Sequence, residues 1–221
     1  MNEFIDIFSS SDPASVSTSV KLLLLLTIFS LAPGILILMT SFARIVIVLS
    51  FVRSALATQQ MPPNQVLIGL ALFLTFFIMA PTFSEVYEQG LQPLFDEEIT
   101  LDEAYENASA PLKDFMAQHT RQKDLDLFLN YTQAETPETV QDIPLTTLVP
   151  AFAISELKTA FQMGFMIFIP FLIIDMAVAS VLMSMGMMML PPVMISLPFK
   201  ILLFVLVDGW YLITQSLLSG F

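Results

Sequence analysis

Residues 171–200 read FLIIDMAVASVLMSMGMMMLPPVMISLPFK: one acid and one base in an otherwise apolar run, with a knot of methionines between them. Pro191 and Pro192 break a helix and Gly186 precedes them, so the run predicts two apolar helices joined by a turn. The centre of that turn falls between Met187 and Met188, and Asp175 and Lys200 lie equally far from it. They are therefore expected to meet at similar depth, because an unpaired charge in an apolar setting is costly while a paired one is tolerated.

Working outward, the 221-residue chain is 56% hydrophobic and only 13% charged, with a mean hydropathy of +0.78 and 20 phenylalanines. That is too apolar for a soluble domain of this size and points to an integral membrane protein or a subunit of a membrane complex. There is no cysteine, which excludes disulfides, thiolate metal sites and thiol nucleophiles. With His119 as the single histidine, a histidine metal cluster is excluded too. No nucleophile–base constellation, phosphate loop or metal-ligand spacing is present, so no catalytic residue, metal or cofactor is expected and the chain does not read as an enzyme.

The net charge of −12 is concentrated in one place. Residues 85–157 hold fifteen acids against Lys113, Arg121 and Lys123, and the remainder of the chain balances to zero. Such a segment is repelled by nucleic acid and by anionic headgroups, so it is expected to face water and to bind no nucleic acid.

Four long apolar segments are expected to be helical. The polar stretch 1–20 precedes Leu22–Phe42, which runs without a charge and is long enough to cross a hydrocarbon core, with Pro33–Gly34 near its middle. Glu3, Asp6 and Asp12 are wrong for the basic start of a signal peptide, so retention is expected. Arg44 and Arg53 flank IVIVLSFV and read as part of a basic connection, with Pro62 and Pro63 ending its helix and Asn64 capping the next. The second span, Gln65–Ser84, is expected to close at Pro81 and the acids Glu85 and Glu88. The third and fourth cover about 160–186 and 193–219. By the positive-inside tendency the basic connection is cytoplasmic and the acidic segment lies across the membrane. Between spans two and three, Leu112, Phe115, Met116, Leu125, Phe128 and Leu129 recur at near-helical spacing, and 133–144 reads as a linker. The fold class is thus all-α: helical hairpins with a small acidic helical domain inserted between the second and third apolar segments. The divisions are 1–20, 21–85, 86–149 and 150–221.

Each motif has a plain reading beside a functional one. Met183, Met185, Met187, Met188, Met189 and Met194 could form a deformable seal where several copies meet, or simply fill a core or face lipid. Asp175 and Lys200 could lock the hairpin or neighbouring subunits, or relay protons; Asp208 is expected near an aqueous end. Ala177, Ser180, Ser184 and Gly186 would allow close helix contact. Glu156, Lys158 and Gln162 could line a wet path or be solvated helix ends.

Two stretches carry a resemblance: LAPGILILMTSFARIVIVLSFVRSAL with MPPNQVLIGLALFLTFFIMAP within 31–81, and PAFAISELKTAFQMGFMIFIPFLIIDMAVASVLMSMGMMMLPPVMISLPFKILLFVLVDGW at 150–210. Together they cover about half of the chain, and in them it resembles the FliP family of type III secretion export gates. The resemblance implies a homo-oligomeric ring, a pentamer, that joins two smaller hydrophobic partners, FliQ and FliR. The assembly would pass unfolded flagellar proteins across the bacterial cytoplasmic (inner) membrane at the flagellar basal body. It also implies kinked hairpins stacked into a cone, a methionine gasket at Met187, Met188 and Met189 with Met185 beside them, and a buried ion pair at Asp175 and Lys200. Flagellar members of the family often begin with a basic, cleavable signal, from which this N-terminus departs. The rival class is a small ion-coupled secondary transporter or proton-conducting subunit, in which Asp175 titrates against Lys200; no internal repeat of the transporter kind is visible.

Overall fold

The computed structural model describes residues 26–27, 30, 33–58, 60–132, 137–187 and 189–221, which fall into two units, Met1–Ile37 and Leu38–Phe221. In the first, residues 33–37 are helical and the Ser30 hydroxyl donates to the Thr27 carbonyl at 2.9 Å. The polar stretch 1–20, and with it the expected retention of the N-terminus, lies outside the described residues, as does much of the first expected span.

The second unit begins with a bend and turn at residues 39–41 and then helix α1, Phe42–Ala55. The expected first span, Leu22–Phe42, therefore does not run unbroken to its end. Nor is 42–55 a connection. Ile45, Val48, Leu49 and Val52 recur at three- and four-residue steps and are buried, the pattern of a helix with one apolar face against a neighbour. That neighbour is the long helix Leu145–Ser184 described below. The positive-inside reading needed a basic loop here, and a helix with Arg44 buried in its packed face removes that support. The helix stops at Ala57, in the left-handed region at φ 57°, before the prolines are reached.

Helix α2, Asn64–Val86, continues through a π-helical turn at Tyr87–Leu91 into α3, Gln92–Phe95. Of Pro81, Glu85 and Glu88, which were expected to close this span, the proline does not: the helix passes through it and its α-helical part ends at Val86, between the two acids. A missing N–H is tolerated in an apolar helix whose neighbours and local adjustments satisfy the freed groups. Asn64 is inside the helix, not its cap, and its Oδ1 accepts from Arg53.

Two helices follow, α4 (Leu101–His119) and α5 (Gln122–Thr132), where the sequence periodicity predicts helix. Thr100 and Glu103 form a capping box that starts α4, and Thr120 leaves helical geometry to end it. Met116 on α4 joins Ile143, Leu148 and Phe152 in a buried cluster, which fastens these helices to the start of α6, Leu145–Ser184. Their apolar side thus faces the long helices rather than a core of its own.

Helix α6 holds 40 residues and runs through Pro150 and Pro170; α7, Pro192–Leu206, returns alongside it. The fourth apolar segment, expected at about 193–219 as a kinked helical segment, is not one continuous helix. It is two, α7 and α8 (Gly209–Leu218), bent by 62° at Asp208, which takes φ 51° and is exposed. Short polar side chains such as Asp enter the left-handed region more readily than branched ones. No strand occurs among the described residues. By length and composition two helices, Asn64–Phe95 and Leu145–Ser184, could cross a membrane, or three if the bent pair counts as one span. Large apolar side chains such as Phe73, Phe165, Ile173 and Leu206 are mostly exposed on the single chain, so lipid or other chains must cover them.

Candidate functional site

The hairpin of α6 and α7 carries the candidate site. Its register is set by two pairs. Lys200 Nζ donates to Asp175 Oδ2 at 2.7 Å, and one helical turn further from the tip Phe171 packs against Phe204, ring centroids 6.4 Å apart. Both pairs are symmetric about the same turn centre, as expected of antiparallel helices with straight pairing. Ser196, one turn before Lys200 on the same face of α7, donates to Asp175 Oδ1 at 2.5 Å, so both carboxylate oxygens are occupied. Sequence reading missed Ser196; its i, i+4 spacing to Lys200 was the available signal.

The two charges are unequally protected. The Lys200 side chain is 2% exposed and that of Asp175 22%. Removing the acid strands a buried ammonium, whereas removing the lysine leaves a carboxylate that keeps Ser196 and some access to its surroundings. Asp175→Ala is therefore expected to cost about 3 kcal/mol and Lys200→Ala about 1–2 kcal/mol, with the Asp175→Lys/Lys200→Asp exchange recovering part of either loss. Thermal unfolding of the detergent-solubilised variants checks this; equal losses and no recovery would mean that the two residues act separately.

Toward the tip, α6 ends in a Schellman motif. Met187 N–H donates to the Leu182 carbonyl and Gly186 N–H to that of Met183, both at 3.0 Å, with Gly186 in the left-handed region at φ 74°. Glycine takes this conformation without strain, and here it turns the chain so that the following methionines leave the helix axis. Met183, Met185 and Met194 are about two-thirds exposed, Met187 is 41% exposed and Met189 97%. Met188 lies outside the described residues. Ala177, Ser180, Ser184 and Gly186 are also exposed, so the small-residue face does not pack on α7.

A second ion pair, missed in the sequence, lies elsewhere in the unit. Arg44 on α1 grips Glu156 on α6 with two parallel hydrogen bonds, Nε to Oε2 at 2.7 Å and Nη2 to Oε1. Its Nη1 donates to the Gly220 carbonyl at 2.7 Å, and its guanidinium carbon sits 3.8 Å from the centroid of the Phe221 ring. Glu156 is fully buried and Arg44 3% exposed, so neither is a solvated helix end nor the lining of a wet path. The signal was one charge inside each of two apolar runs, each of which needs a partner.

The start of α5 is tied to α6 by a third cluster. Ser155 Oγ donates to Asp124 Oδ2 at 2.6 Å and accepts from Arg121 N–H at 3.0 Å, while Arg121 Nη2 reaches the same Asp124 oxygen at 2.5 Å. Burial alone would push the Asp124 carboxyl up; the Ser155 and Arg121 hydrogen bonds, with the nearby Arg121 and Lys158 charges, outweigh it and hold the group below the usual range. Among the described residues no group of three or more His, Cys, Asp or Glu is placed to hold a metal ion.

The FliP family model matches residues 25–217, across the whole hairpin and the helices before it. This chain belongs to the FliP family. It is 79% identical over its full length to the flagellar biosynthetic protein FliP of Bacillus subtilis, which it covers completely. It is 56% identical over 91% of its length to FliP of Caulobacter vibrioides, covering 76% of that protein, and 51% identical over 92% to FliP of Aquifex aeolicus, covering 86%. The matched region contains the Asp175–Lys200 pair, the Met-rich turn, and Arg44 with Glu156.

Proposed function

We propose that the chain is a subunit of the flagellar type III protein-export gate. In this reading it oligomerises as a ring, pentameric in the family, joins FliQ and FliR in the bacterial inner membrane at the flagellar basal body, and helps unfolded flagellar proteins to cross. Membership of the FliP family and the description of its relatives as flagellar biosynthetic proteins support this, as do the apolar helices. The observation that carries the sealing role is the tip: methionines bare on the single chain, directly beyond a hairpin pinned by an ion pair. Flexible thioethers brought together around an axis can close it against ions and still yield to polypeptides of varied shape. The open small-residue face gives neighbouring copies a place of close approach.

The test replaces Met185, Met187, Met188 and Met189 with alanine in cells. Membrane ion leak is expected to rise severalfold while flagellar subunits are still secreted; an unaltered leak would remove the sealing role. Ion flux through the purified chain alone in vesicles, abolished by Asp175→Asn, would instead support the ion-coupled transporter.

A further inference from the structure

Away from the hairpin tip, a groove of about 450 Å³ opens where the end of α2 meets α4. Phe77, Pro81 and Glu85 form one wall, Asp114 and His119 the other, and Phe221 closes the end. Its volume lies within the range, about 300–1,000 Å³, of pockets that enclose a small ligand or a few side chains. The floor is aromatic and firmly held: Phe115 stacks on Phe221 at 6.1 Å, and His119 packs against Phe115 at 4.9 Å and Phe221 at 5.0 Å.

The charge of the groove is one-sided. The Glu85 carboxylate makes no hydrogen bond or ion pair among the described residues, and Asp114 uses one oxygen, Oδ1, to accept from Gln141 at 2.9 Å. Among the described residues no lysine or arginine lines the groove, and Lys113, next to Asp114 in sequence, donates to the Gln141 carbonyl at 2.7 Å. Arg44 lies behind the Phe221 ring, paired with Glu156, and burial, with the Arg44 charge nearby, pushes His119 below its ordinary value and so favours its uncharged form. Two carboxylates with uncommitted oxygens, in one groove with the exposed Phe77 ring and the half-buried Phe115 and Phe221 rings, match a cation carried on an apolar stem.

We propose that this groove docks a segment of another polypeptide in which one lysine or arginine is flanked by aliphatic or aromatic residues. The stem and its apolar neighbours lie on Phe77, Pro81 and Phe221, and the cation bridges Glu85 and Asp114. The surface is independent of the methionine tip and of the export reading.

The test uses the full chain in neutral phosphatidylcholine nanodiscs. The native sequence has no cysteine, so Gln118→Cys, at an exposed position on the groove, takes a single environment-sensitive fluorophore. The probe is the capped tetrapeptide Leu-Lys-Phe-Leu, with Leu-Glu-Phe-Leu as its control. The lysine peptide is expected to give a saturable change, at least tenfold tighter than the control, and to lose that advantage in Glu85→Gln/Asp114→Asn. Equal responses to both peptides, or undiminished binding by the double variant, would mean that the groove takes apolar matter such as an acyl chain, and would overturn the proposal. A signal that follows protein dilution without peptide would assign the groove to a second copy of the chain and overturn it equally.

Discussion

Glu156→Leu is expected to destabilise the protein by about 3–5 kcal/mol, because it leaves the Arg44 guanidinium buried with only the Gly220 carbonyl and the Phe221 ring for company. Both partners are almost fully shielded, so solvent cannot screen the loss. In a chain of this size the change corresponds to a fall of roughly 10 °C in the unfolding midpoint. Arg44→Met/Glu156→Leu is the informative companion: with both charges replaced by apolar side chains of similar volume, it is expected to lie within about 1–2 kcal/mol of the parent. Thermal unfolding of the two variants in detergent measures both. A double variant as unstable as the single one would mean that the pair contributes through its hydrogen bonds rather than by avoiding an orphaned charge.

The second large effect is expected at Gly164, on the face of α6 that receives α1. A Cβ there would meet Phe51 Cδ2 and Cγ at 2.4 Å, far inside contact distance, and Phe51 is set edge-on against Phe161 at 5.4 Å. Glycine in a helix interior costs about 1 kcal/mol relative to alanine, so its presence is explained by the close approach it allows. Gly164→Val adds both bulk and branching, and overpacking of this kind typically costs about 1–3 kcal/mol. Phe51 is half-buried and can swing partly outward, which places Gly164→Ala near the low end. Gly164→Val/Phe51→Ala is expected to recover part of the loss, again by thermal unfolding; no recovery would locate the clash elsewhere.

Elements that depend on local symmetry could be read from the sequence. Asp175 and Lys200 belong to one hairpin with a marked turn, so counting residues was enough to bring them together. The amphipathic helices α4 and α5 were likewise visible in spacing. Arg44 and Glu156 are 112 positions apart, and pairing them requires knowing that α1 lies on α6, which no local pattern states. Prolines misled in the opposite direction. Pro81 was read as a stop and Pro150 and Pro170 lie inside α6, because an apolar helix packed among others tolerates the lost hydrogen bond. The break in the fourth apolar segment, at Asp208, carries no proline and rests on one residue in the left-handed region.

Because the Asp175–Lys200 and Phe171–Phe204 pairs share one register, the α6–α7 hairpin is anchored some way below its end, and the methionine loop is an overhang on that anchorage. An overhang bends without moving its footing. Residues added to or removed from the turn would therefore leave the alignment of the two stems fixed.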